Sequence, residues 1–115
     1  MQGTEIVESK FLESMVGKQP FLKRMFTTFI SQEPKRIREI KEALQLEDVE
    51  RLRHLAHGLK GGAATIGVAR VRDCCLEIEN ASKAGDVEAA STHFQDLEKE
   101  MRNAYAFMFS YLAEH

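Results

Sequence analysis

The chain has 115 residues, 43% of them hydrophobic and 30% charged, with a formal net charge of −2. That is one domain of ordinary globular composition, spanning 1–115, large enough to bury a core without metal or disulfide support. A near-neutral balance with no basic stripe argues against nucleic acid and anionic membranes as partners, and no apolar run approaches the ~20 residues of a membrane span.

Nothing at Met1-Gln2-Gly3-Thr4 resembles a signal peptide. The only cysteines, Cys74 and Cys75, are adjacent. Neighbours on a helix point about 100° apart, so they do not readily bridge each other, and free thiols in a reducing cytoplasm are expected. With no CxxC motif, neither a redox nor a zinc role is indicated.

Strand-like alternation is absent, and the apolar residues recur at helical spacing throughout. A first short helix is predicted over about 4–16, with Ile6, Val7, Phe11, Leu12, Met15 and Val16 as its stripe and Thr4 and Gly17 as its caps. The second, over about 20–45, opens at Pro20 and carries Leu22, Met25, Phe26, Phe29, Ile30, Ile37, Ile40 and Leu44. Its phase runs through Pro34 unbroken, which predicts one long helix kinked near Ile30. A third helix, about 48–66, starts at the N-cap Asp48 and stops before Gly67. The fourth, about 68–84, carries Val71, Cys74, Cys75, Ile78 and Ala81 and stops at Gly85. Asp86 caps the fifth, about 86–113, striped by Val87, Ala90, Phe94, Leu97, Met101, Tyr105, Met108 and Leu112. Short connections force sequential helices antiparallel. The predicted fold is therefore all-α: an antiparallel up-down four-helix bundle from helices two to five, with the short N-terminal helix covering an end.

The third helix holds the chemistry. Leu52, Leu55, Ala56, Leu59, Ala63 and Ile66 form its apolar face, and His57 lies just off that face beside Arg53, Lys60, Gly61 and Ala64. Gly58, Gly61 and Gly62 fall within five residues, although a glycine costs a helix interior roughly 1 kcal/mol relative to alanine. Something other than helix stability favours an open backbone here. An imidazole that must be reached by a bulky protein needs small neighbours, and one that carries a phosphoryl group benefits from a nearby ammonium. A surface histidine whose glycines merely admit a neighbouring helix is the plainer alternative; the joint presence of His, Lys at i+3 and Gly at i+4 argues against it.

Counting from the turn near Gly67 and Val68, His57 lies about ten residues before the pivot and Glu79 about eleven or twelve after it. Glu79 is thus a candidate to accept a hydrogen bond from one ring nitrogen, leaving the other as an unprotonated nucleophile. His54 and His57, with Glu50 nearby, lie on one exposed helix face and make a poor closed metal site. His93 and His115 show no partner pattern, and Glu98, Lys99, Glu100 and Arg102 read as a solvated face.

The run Ala56-His57-Gly58-Leu59-Lys60-Gly61, followed by Gly67, resembles the HxLKGxxxxxG pattern of the histidine phosphotransfer (HPt) domains of multistep two-component phosphorelays. The resemblance extends to Cys74/Cys75 and Ile78-Glu79 downstream, and to Phe26, Glu33-Pro34 and Leu44 upstream. Gly58 departs from it, since a bulkier residue is commoner there. The resemblance implies that His57 takes a phosphoryl group from a receiver-domain phosphoaspartate and passes it to another receiver aspartate. Lys60 would supply charge, Gly61 would clear space, and Glu79 would orient the ring. Arg53, His54, Gly58 and Ala64 would belong to the partner surface, which Phe21 or Met25 of helix two would extend if they do not pack inward. It implies a monomeric cytoplasmic carrier without cofactor or ATP site of its own, stand-alone or part of a hybrid kinase, with Mg²⁺ on the receiver. The competing class is a non-catalytic helical adaptor or metal-binding bundle. The dimerising domain of a sensor kinase is disfavoured, because Gly58 follows His57 where that domain has Glu and no Pro follows at all.

Overall fold

The computed structural model describes residues 5–115, and among them every regular element is a helix: α1 Ser9–Ser14, α2 Gln19–Gln45, α3 Val49–Thr65, α4 Ala69–Lys83 and α5 Val87–Glu114. The long helices form a closed ring in which α2 packs on α3, α3 on α4, α4 on α5 and α5 back on α2. The links between successive members are three residues each (46–48, 66–68 and 84–86), which leaves the chain no room to do anything but reverse. No helix among the described residues is long and apolar enough to cross a membrane.

The turns explain where each helix stops. After α3 the backbone enters the left-handed region at Gly67 (φ +72°), and the Val68 amide donates to the Ala63 carbonyl at 2.9 Å. This satisfies a carbonyl that the helix end leaves unpaired. Gly85 ends α4 in the same way, whereas α2 ends with the non-glycine Glu47 at φ +52°. Asp48 and Asp86 cap the following helices, their carboxylates accepting from the amides of Arg51 (3.2 Å) and Ala89 (3.0 Å).

The core is the set of inward stripes. Phe26, Ile40, Leu52, Leu59, Val71, Ile78, Leu97 and Met108 are almost wholly buried, and Phe26 meets Tyr111 edge-on with centroids 5.4 Å apart. α2 runs as a single element through Pro34, which supplies no amide to the ladder. Two details differ from the sequence reading. The first helix spans only Ser9–Ser14, because Glu5 accepts from the Ser9 amide (3.0 Å) and hydroxyl (2.7 Å) and so starts the helical turn at Ser9. The proposed Thr4 cap lies outside the described residues. In addition, Glu33 is buried within the α2 stripe.

α1 closes the end of the bundle that holds the α3–α4 turn. The Glu8 amide donates to the Gly67 carbonyl at 2.9 Å, and Phe11 lies against Gly67. A methyl group on that glycine would come 2.7 Å from Phe11 Cβ, so the residue is fixed by both its backbone angle and its neighbour.

Candidate functional site

His57 projects from the middle of α3, with 67% of its side chain exposed. Its Nδ1 lies 3.1 Å from Oε2 of Glu79 on α4. Glu79 itself is covered, with only 6% of its side chain accessible. Its other oxygen, Oε1, pairs with Lys60 Nζ at 2.6 Å, and Lys83 Nζ stands 3.9 Å from Oε2, one helical turn along α4. One buried carboxylate therefore gathers an imidazole and two ammonium groups.

Electrostatics keep that carboxylate ionised. The Lys60 hydrogen bond is the largest influence holding Glu79 below the usual carboxylate range; burial opposes it and the His57 hydrogen bond reinforces it. An ionised carboxylate can only accept. The ring hydrogen of that contact therefore sits on Nδ1, and the neutral imidazole has its lone pair on Nε2.

The space beside the ring is open. A methyl group added at Gly61 would meet nothing within 4 Å. At Gly62 it would come only to an ordinary 3.7 Å from Glu33 Oε2, so an alanine would fit there too. His54 and Ala64 are exposed on the same side of α3, and Arg53 is partly covered and paired with Glu50 at 3.2 Å. Beyond them a cleft runs between α1, α2 and α3, lined by Met15, Phe21, Met25, Phe29, Thr65 and Ile66 among others. Phe21 is about half exposed and Met25 only partly buried, so the apolar side chains of this end of α2 reach the surface.

Four features were not read from the sequence. Lys60 does not stand free ahead of the ring but is tied to Glu79. Lys83 joins the same carboxylate, which its i+4 spacing from Glu79 could have signalled. Glu33 and Arg36 on α2 lie against Gly62 and Gly58 respectively. His93, Glu100 and His115 have partners after all: Glu77 at 3.8 Å, Arg70 at 3.7 Å, and the ring and carbonyl of Tyr111. The thiols are free, and burial pushes Cys74 up to about 11 and Cys75 higher still, which favours the protonated thiol in both. No group of three or more His, Cys, Asp or Glu side chains is gathered for a metal ion among the described residues.

Comparison with known proteins gives this geometry a family. A protein similar over part of the chain is "Multistep phosphorelay regulator 1" of Schizosaccharomyces pombe, 32% identical over 60 residues that make up 52% of this chain and 20% of that protein. Another is "Phosphorelay intermediate protein YPD1" of Candida albicans, 32% identical over 63 residues, 55% of this chain and 34% of that one. The aligned stretches thus cover only a fifth to about a third of these relatives' lengths. The helical fold is shared with histidine-containing phosphotransfer protein B (HptB) of Pseudomonas aeruginosa PAO1, with a TM-score of 0.91 and 23% identity over 98% of this chain and 99% of that one. The Hpt domain family model matches residues 24–106, which take in all of α3 and α4 and most of α2 and α5, and the chain belongs to that family.

Proposed function

We propose that this Hpt domain relays phosphoryl groups between receiver domains of a two-component system, with His57 as the carrier. The observation that carries this reading is the exposed imidazole whose Nδ1 is held by buried Glu79 while the approach past Gly61 stays clear.

The chemistry follows from that arrangement. Nε2 attacks the phosphorus of a receiver's phosphoaspartate, forming an N–P bond as the acyl O–P bond breaks. The bonding pair leaves with the aspartate carboxylate. The imidazole gains positive charge in this step, and its Nδ1–H is already donated to an anion, so Glu79 stabilises the ring more as transfer proceeds. Return to a second receiver aspartate reverses each bond change. Such transfers depend mainly on positioning and charge neutralisation. Lys60, held at 2.6 Å from Glu79, places a cation one helical turn from the ring on the α4 side. Gly61 leaves room for the partner's loops. Mg²⁺ is assigned to the receiver.

The docking face comprises Arg53, His54, Gly58 and Ala64 and continues over the cleft edged by Phe21 and Met25. The carrier works as a cytoplasmic monomer and does not make phosphohistidine from ATP itself. Incubation with a phosphorylated receiver labels the protein with acid-labile, base-stable phosphate, and His57→Gln removes the label. Label retained in that variant overturns the assignment.

A further inference from the structure

Gly58 is the residue of the site that the transfer chemistry leaves without a task. It follows His57 directly, about 100° round the helix, on the side of α3 that faces α2. A methyl group there would lie 3.1 Å from Nη1 of Arg36 and 3.5 Å from its Cζ. The guanidinium from α2 thus occupies the room that a side chain at position 58 would fill.

Its placement is braced from behind. Glu33, one turn earlier on α2 and buried, pairs with Arg36 Nε at 3.4 Å. Glu33 in turn lies along Gly62, with Oε2 3.7 Å from where a methyl group would sit. Gly58 and Gly62 are one turn apart, so the acid and the base from α2 settle side by side on the small residues of α3. A guanidinium presents five N–H donors, and Nε faces Glu33. Nη1 lies toward Gly58, and 34% of the Arg36 side chain remains accessible. α3 therefore meets a cation on each side near His57, its own Lys60 toward α4 and Arg36 of α2 against Gly58, each paired with a buried glutamate.

We propose that Arg36 is a positioning residue of the transfer site, binding the carboxylate- and phosphoryl-bearing face of the receiver and seating it over His57. This rests on the reading of His57 as the phosphoryl carrier. The planar fork suits a phosphoryl oxygen pair or a carboxylate, and its restraint by Glu33 lowers the ordering cost of docking.

Two donors separate the possibilities. Phosphorylated receiver presents a protein surface, whereas phosphoramidate, a small phosphodonor, presents none. Arg36→Gln raises the receiver concentration for half-maximal transfer about fivefold, as expected for a partly exposed charge contact, and its loss with phosphoramidate is much smaller. Arg36→Lys, which keeps the charge but loses the fork, recovers only part of the receiver-dependent loss. Equal losses with both donors, or no change with receiver, overturn the proposal. If the wild-type protein takes no label from either donor, it is the carrier reading that fails.

Discussion

The glycines beside His57 make a prediction in which stability and transfer move in opposite directions. Gly61 lies inside a helix and a methyl group there meets nothing within 4 Å, so Gly61→Ala carries the helix-propensity gain without a clash. That gain is about 1 kcal/mol. An unfolding entropy of ~2.1 cal/mol/K per residue converts it, for a chain this size, to a rise in Tm of about 4 °C. Gly62→Ala gives a similar rise, since its contact with Glu33 is ordinary. Gly67→Ala must do the reverse. It needs φ +72° and a 2.7 Å approach to Phe11 Cβ, and should lower Tm by about 8 °C, the equivalent of ~2 kcal/mol. Thermal unfolding followed by circular dichroism measures all three. Transfer from a phosphorylated receiver is then measured on the two stabilised proteins and on Gly61→Leu. Gly61→Leu should keep the raised Tm and lose at least tenfold in transfer, whereas Gly62→Ala should transfer at close to the wild-type rate. A Gly61→Leu protein that transfers normally refutes the argument that open backbone serves partner access.

Other perturbations read the charges. Glu79 has its pKa depressed, so its stabilising contribution is present above the ordinary carboxylate range and is lost as pH falls through the lower folded value. Glu79→Ala should therefore destabilise at pH 7 and progressively less in acid. Glu33 is the opposite case: burial raises its pKa against the pull of Arg36, so the ionised form costs stability above the folded value. Glu33→Gln should raise Tm at pH 7 and gain nothing near pH 3; parallel pH profiles for the two variants contradict this. Glu79→Ala should also release Nδ1, shifting the His57 tautomer balance in ¹⁵N spectra and slowing transfer about tenfold, the lower end for a hydrogen bond to a charged group. Lys60→Ala should slow transfer while leaving the helical circular dichroism intact, and an unchanged rate removes it from the mechanism.

Helix positions and turns were legible because their causes are local. Asp48 and Asp86 announce N-caps, Gly67 and Gly85 supply the left-handed residues, and the inward stripes follow the helical period. Glu79 was reachable too, since a short turn fixes the register of α3 against α4 and counting from Gly67 brings it opposite His57. What escaped were pairings that local sequence does not specify. A glutamate in an apolar stripe reads as solvated until the opposing helix proves small, and at Gly62 it does. Lys60 reads as a free cation until the carboxylate it faces is known. The start of α1 was misjudged because the Glu5 carboxylate on Ser9 sets it, while the apolar stripe begins earlier.

The most direct test of His57 as the carrier is to find which atom holds phosphorus. Phosphorus–nitrogen correlation by NMR on the ¹⁵N-labelled, phosphorylated protein should place the group on Nε2 of His57, with Nδ1 still protonated toward Glu79. Phosphorus on Nδ1, on His54 or on any other side chain would contradict it.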